Sequence, residues 1–350
     1  MSILKTSIIL IGLTTFLMSM GFSSKKPPSV KIGNLKENLS EYGFFEGKMS
    51  DLKPIKGVLP YTLNAPLFSD YAQKLRFVQL PEGQTVDFNP DSVFQFPIGT
   101  KLIKTFLYPN DFKNEAKGRR IIETRVLLRD DDGGWVALPY IWNDEQTEAT
   151  LEVAGDSKSI SYKDIKGQKK VFEYAIPNVN QCRGCHVRGD KMTPIGPSAR
   201  QLNGDLNHEN QLVNWKKIGI LRGLSDDLTT VPKFPNYEDK TVALDARARA
   251  YLDINCGHCH NRQGPAVTSG MFLDWKTTDS TALGFYKTPV AAGRGSGNLK
   301  FDILPSKPNE SILFYRLNST DPGEMMPEVG RKLVHTEGVE LIREWIKAMK

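Results

Sequence analysis

The 350-residue sequence predicts an α+β fold: an N-terminal antiparallel β domain bearing a first cysteine–histidine segment, then a C-terminal α-helical domain bearing a second. Three observations carry this expectation. Apolar and β-branched runs bounded by Asp and Gly clusters fill residues 61–176, which is the signature of hairpins. Beyond residue 240 the apolar spacing lengthens to that of helices. All four cysteines fall in two Cys-x-x-Cys-His strings, Cys182–His186 and Cys256–His260.

The elements follow in chain order. In residues 1–24, Lys5 precedes an apolar run from Ser7 to Met18, and Ser19, Gly21, Ser23 and Ser24 follow. A membrane span needs ~20 apolar residues. This run is shorter, and its charged start and small-residue exit match a cleaved secretory signal. The expected location is periplasmic or secreted, with no stable membrane span after cleavage. Residues 25–60, rich in Lys, Gly and Pro, predict a loosely ordered lead-in. In the β domain, 61–176, strands are expected at Val93–Thr100, Lys101–Phe106, Ile121–Leu128 and Trp135–Tyr140, with Trp135, Tyr140 and Trp142 in the core. Residues 177–240 carry the first cysteine string directly at the exit of that domain, so the sheet is expected to wall one side of its site. In residues 241–350, Ala243–Asn255 reads as a helix capped by Asp245, with Leu244, Ala248, Tyr251 and Leu252 on one face. A final helix carries the stripe Val339, Ile342, Trp345, Ile346 and Met349.

The cysteines decide the chemistry that the sequence predicts. Only five histidines exist, yet one follows each Cys-x-x-Cys pair directly. Two thiols at this spacing suit the two vinyl groups of one haem, and the adjacent imidazole reaches its iron. Two covalently bound haem c groups are therefore expected, on Cys182, Cys185 and His186 and on Cys256, Cys259 and His260. A zinc site built from two such pairs expects them roughly 15–20 residues apart, whereas about seventy separate them here. A thioredoxin-like motif explains one pair without its histidine. The formal charge of +6 is largely offset by about four haem carboxylates, so no nucleic-acid partner is read from it.

An electron-transfer haem takes a second axial ligand, usually Met or His. For the second haem the leading candidate is Met326, in a loop stiffened by Pro327, with Met325 and His335 as rivals. For the first, Met192 and His208 compete with a ligand from the β domain and with an open site. His258 lies inside the second string and reads as a structural residue. Arg294 is a candidate partner for a haem propionate, since guanidinium pairs bidentately with carboxylate.

Several strings resemble those of a family of uncharacterised bacterial dihaem c-type cytochromes: Leu59–Ala72, Phe96-Pro97-Ile98-Gly99-Thr100, Trp142–Ala149, Pro194-Ile195-Gly196-Pro197 and Met326-Pro327-Glu328. The resemblance runs from about residue 40 to the C-terminus. It implies redox partner proteins, including a parallel β-helix protein encoded beside members of the family. More weakly, Phe96–Thr100 and the strand after it look like the β-sheet cytochromes that oxidise hydroxylamine. Those carry a lysine cross-linked to haem, and Lys101 and Lys104 lie in the comparable stretch. The expected function is electron transfer. The alternatives are a peroxidase-like or small-nitrogen-compound oxidoreductase with an open first haem, or a β domain that docks a partner.

Overall fold

A computed structural model describes residues 35–290 and 292–350, so the expected export signal lies outside the described residues. Strands concentrate early in the chain and helices later. The strands are β1 (Val58–Pro60), β2 (Gln73–Gln79), β3 (Val86–Asp87), β4 (Lys101–Pro109), β5 (Arg119–Arg129), β6 (Trp135–Trp142), β7 (Ala149–Leu151), β8 (Asp156–Lys163) and β9 (Lys169–Ile176). An antiparallel sheet runs in the order β1-β2-β4-β5-β6-β7, and β8 and β9 form a separate hairpin. Meanwhile β3 leaves the sheet to pair in parallel with Leu221–Arg222.

Period-two alternation gives the sheet two distinct faces. One buries Phe77, Ile103, Val126, Leu138 and Tyr140. The other carries Arg76, Lys104 and Arg125 as direct cross-strand neighbours. The expected lead-in is not loose where it is described. Leu39, Phe44, Phe45 and Leu52 pack into the first face, Tyr42 stacks on Phe44, and the Tyr140 hydroxyl donates to Lys36 O at 2.8 Å. A few large apolar side chains outweigh the Lys, Gly and Pro around them, because each buried aromatic removes 150–250 Å² from water, roughly.

Val93–Thr100 also departs from expectation and joins no strand of the sheet. Pro97 has no N–H to donate, and Gly99 turns the chain at φ 86°. Phe94 and Phe96 are nevertheless buried, in a second core with Trp135, Leu202, Leu212 and Trp215. Trp135, Tyr140 and Trp142 are core residues, as expected.

The helices are α1 (Val179–His186), α2 (Ala199–Leu202), α3 (Gln211–Lys217), α4 (Leu244–Leu252), α5 (Ile312–Asn318) and α6 (Thr336–Ala348). Helix α1 opens on a capping box in which Asn178 and Gln181 each bond the other's backbone N–H. Helix α4 starts from Ala243 rather than the expected Asp245. The Asp245 carboxylate instead accepts from Trp345 Nε1 at 2.8 Å, tying α4 to α6. Ala248, Tyr251 and Leu252 of α4 share a core with Val339, Ile342, Trp345 and Ile346 of α6, and Met349 packs at its edge. No helix among the described residues is long and apolar enough to cross a membrane.

Candidate functional site

Each cysteine string faces its own cavity. The first cavity lies between the cationic face of the sheet, α1 and the Met326 loop. It is lined by Cys182, Cys185 and His186, with apolar walls from Leu67, Phe68, Leu127 and Ile195. The second, of about 600 Å³, is lined by Cys256, Cys259 and His260 with Met271, Leu273 and Leu313. Asn255, His258, Cys185, Met326 and Pro327 border both, so the two cavities share a wall.

Local structure aims the histidines. His186 closes α1, and its Nδ1 lies 2.9 Å from Thr193 O. His260 sits beyond the turn that extends α4, with Nδ1 3.2 Å from Met271 O. A carbonyl partner fixes the hydrogen on Nδ1, which leaves the Nε2 lone pair free for a metal. Burial lowers the His186 pKa to about 4 and also lowers that of His260, so both rings are held neutral, the form that ligates.

The second string is reached through a widened turn, Asp253–Gly257, that continues α4. Gly257 is needed there, since a Cβ would lie 3.0 Å from the backbone of Asp274. Cys182 and Cys256 are buried, each in its own cavity wall, whereas Cys185 and Cys259 are half-buried. The donor atoms of Cys185, Cys259 and His258 lie within 4.8 Å of one another. Seventy-odd residues of chain therefore do not separate the two strings in space, contrary to the spacing argument. The hydrogen bond from Cys259 lowers the Cys185 pKa, and the same bond raises that of Cys259. No four-cysteine cluster forms among the described residues, because Cys182 and Cys256 stay apart.

The remaining expected ligands separate clearly. Met326 borders both cavities. Its loop is anchored by Arg331, whose Nη2 donates to Met326 O at 2.9 Å, and by Met326 N donating to Arg316 O at 3.1 Å. Met325 is buried and borders neither cavity. His335 caps α6 and borders the first cavity, stacked on Phe68 with ring centroids 4.2 Å apart.

Met192 borders neither cavity. It pairs with Val187 in a short hairpin and packs against the Phe94–Trp215 core, because six residues of chain turn back too sharply to cross a ring. His208 occupies an exposed turn at φ 68°. Arg294 is also misplaced for a propionate. Its guanidinium is held by the Asp321 carboxylate, while Arg316 borders the second cavity.

The chemistry of both sites suits a covalently held haem. Two thiols, a neutral imidazole and apolar walls form a fitting donor set at both sites. The volume fits at the second, within the range of about 300–1,000 Å³ usual for ligand cavities. The first is narrow, about 100 Å³, so its walls must part around a macrocycle.

Comparison with known family models, curated proteins and solved structures found no match to this chain.

Sequence reasoning missed Arg125 and Arg316 as cavity residues and reached Lys104 only through a weak resemblance, and His335, weighed there for the second site, borders the first cavity. Alternating positions on β4 and β5 hinted that Lys104 and Arg125 share a face. Which face turns inward is set by the sheet's packing.

Proposed function

We propose that the protein is a dihaem c-type cytochrome, periplasmic or secreted, that passes electrons between redox partner proteins. The observation that supports this most strongly is the matched pair of histidines. Each follows its cysteine pair, is tethered through Nδ1 to a backbone carbonyl, which leaves Nε2 unprotonated, and lines a separate cavity. A structural zinc site gives no reason for two such cavities.

In this reading Cys182 and Cys185 would hold one haem and Cys256 and Cys259 the other, and the neutral His186 and His260 would each donate to an iron. Each bound haem supplies an iron that alternates between ferric and ferrous states. Met326 would supply a thioether to the second site, its backbone held by Arg331 and the carbonyl of Arg316. His335 is the best-placed candidate at the first, since it alone among the described histidines outside the two strings borders that cavity. Arg316 is suited to a propionate of the second haem. The Cys185–Cys259 contact brings the attachment points of the two groups together, which favours electron exchange within the chain.

The test is haem content and mass of protein made with the c-haem attachment machinery. Two haems per chain are expected, falling to one in Cys182→Ala/Cys185→Ala and in Cys256→Ala/Cys259→Ala. A chain that stays haem-free while other c-type cytochromes mature in the same cells refutes the reading. The Cys185–His258–Cys259 cluster supports a second one, in which the haem-free chain holds a single thiolate-bound metal. Metal analysis of the same preparations separates the two.

A further inference from the structure

The sheet turns a row of cations toward the first cavity. Arg76 on β2 lies opposite Lys104 on β4, and Lys104 lies opposite Arg125 on β5. Cross-strand partners project from the same face, and Lys74 joins them two residues before Arg76. Lys104 and Arg125 border the cavity beside Cys182 and His186.

The carboxylates nearby are already engaged. Glu123, fully buried, takes Arg125 Nε at 2.8 Å and accepts the Tyr174 hydroxyl at 2.6 Å. Asp70, also buried, accepts the backbone N–H groups of Lys332 and Leu333. That leaves Lys104 with no hydrogen bond or ion pair among the described residues, only the Phe106 ring 4.7 Å away. Arg76 is 7% exposed, and its Nη2 has no hydrogen-bond partner among the described residues. Arg76 is buried and Lys104 half-buried, and neither has a carboxylate partner among the described residues; such cations are costly, so this face suits an anion.

We propose that Lys104, with Arg76 and Arg125 behind it, forms an anion-binding wall of the first cavity that takes a carboxylate or a small oxyanion. Burial and the neighbouring cations hold the Lys104 amine well below its ordinary pKa, and an anion placed beside it would favour its charged form. Two sources carry the same chemistry: a propionate of the first haem, which rests on the function proposed above, or a free small anion entering beside it.

Wild-type, Lys104→Met and Lys104→Arg holoproteins are compared, each with its haem content measured first, so that failure of haem attachment is seen separately. Ferric protein is titrated with formate, and the reduction potentials of both haems are recorded. A free-anion site gives a saturable spectral response that weakens about tenfold or more in Lys104→Met and survives in Lys104→Arg. A propionate site gives no formate response. Instead, loss of the cation lowers the potential of one haem only, and Lys104→Arg restores it. If formate has no effect and Lys104→Met leaves both potentials unchanged, the wall does not bind an anion.

Discussion

Arg331→Met tests how the Met326 loop is held. Arg331 is 5% exposed, and its guanidinium is a hub of backbone bonds. Nη2 donates to Ser319 O at 2.8 Å and Met326 O at 2.9 Å, and Nη1 donates to Leu333 O at 3.1 Å. Longer bonds reach Arg316 O and Leu317 O. Methionine fills much of the same space but donates nothing, so several buried carbonyls lose their partner. Each unsatisfied buried acceptor costs about 1–3 kcal/mol, part of which is recovered because the guanidinium no longer has to be buried. A net loss of about 3–5 kcal/mol follows, comparable to removing one member of a buried charged set. That is a large share of a typical total of about 5–15 kcal/mol. Denaturant unfolding of the holoprotein measures it as a lower midpoint at constant slope. Under the proposed ligation by Met326, the ferric spectrum of the variant should also lose a Met–iron charge-transfer band, since the same bonds fix the backbone of Met326. A variant within about 0.5 kcal/mol of wild type, the range of an ordinary surface change, and with its band intact would falsify this account of the loop.

Asp253 supplies a pH-dependent test. Burial raises its pKa from 3.8 to about 6, so between those values the folded state binds a proton more tightly than the unfolded one. Its contribution is therefore most favourable at low pH and is lost as pH rises through about 6. Asp253→Asn keeps an acceptor for Trp275 N, now 2.8 Å from Asp253 Oδ1, and removes the charge. It should stabilise the protein at pH 7 by at most roughly 3 kcal/mol and by little at pH 4; equal effects at the two pH values would count against the burial argument. At Gly338 of α6 the buried Tyr251 ring of α4 lies against the backbone, and an added Cβ would clash with it. Gly338→Ala should cost about 1–3 kcal/mol by overpacking, despite the better helix propensity of alanine, and a melting temperature at or above wild type would contradict the packing described.

Features that depend on neighbours in the chain were legible in the sequence. The apolar stripe of α6 is one, because helical periodicity alone brings Val339, Ile342, Trp345 and Ile346 to one side, and burial follows. The strands around Ile121–Leu128 and Trp135–Tyr140 are another, with Asp130 and Gly133 closing the turn between them. The lead-in was misread because composition averages over residues, while Phe44 and Phe45 act singly. Met192 was misread because a thioether serves a core as readily as an iron, and only its packing partners distinguish the two.

The sequence by itself determined which atoms can act: four thiols in two Cys-x-x-Cys pairs, each followed directly by its own imidazole. It also determined that strands precede helices. Only the tertiary structure decided how those atoms are arranged. It set Cys185 against Cys259, gave each histidine a carbonyl partner and let Met326 border both cavities. It also aligned Arg76, Lys104 and Arg125 across three strands and turned them inward. The physical reason is one of range. Motif spacing and periodicity are fixed by bonded geometry over a few residues. Strand register and the meeting of distant segments are fixed by which burial of apolar surface wins across the whole chain.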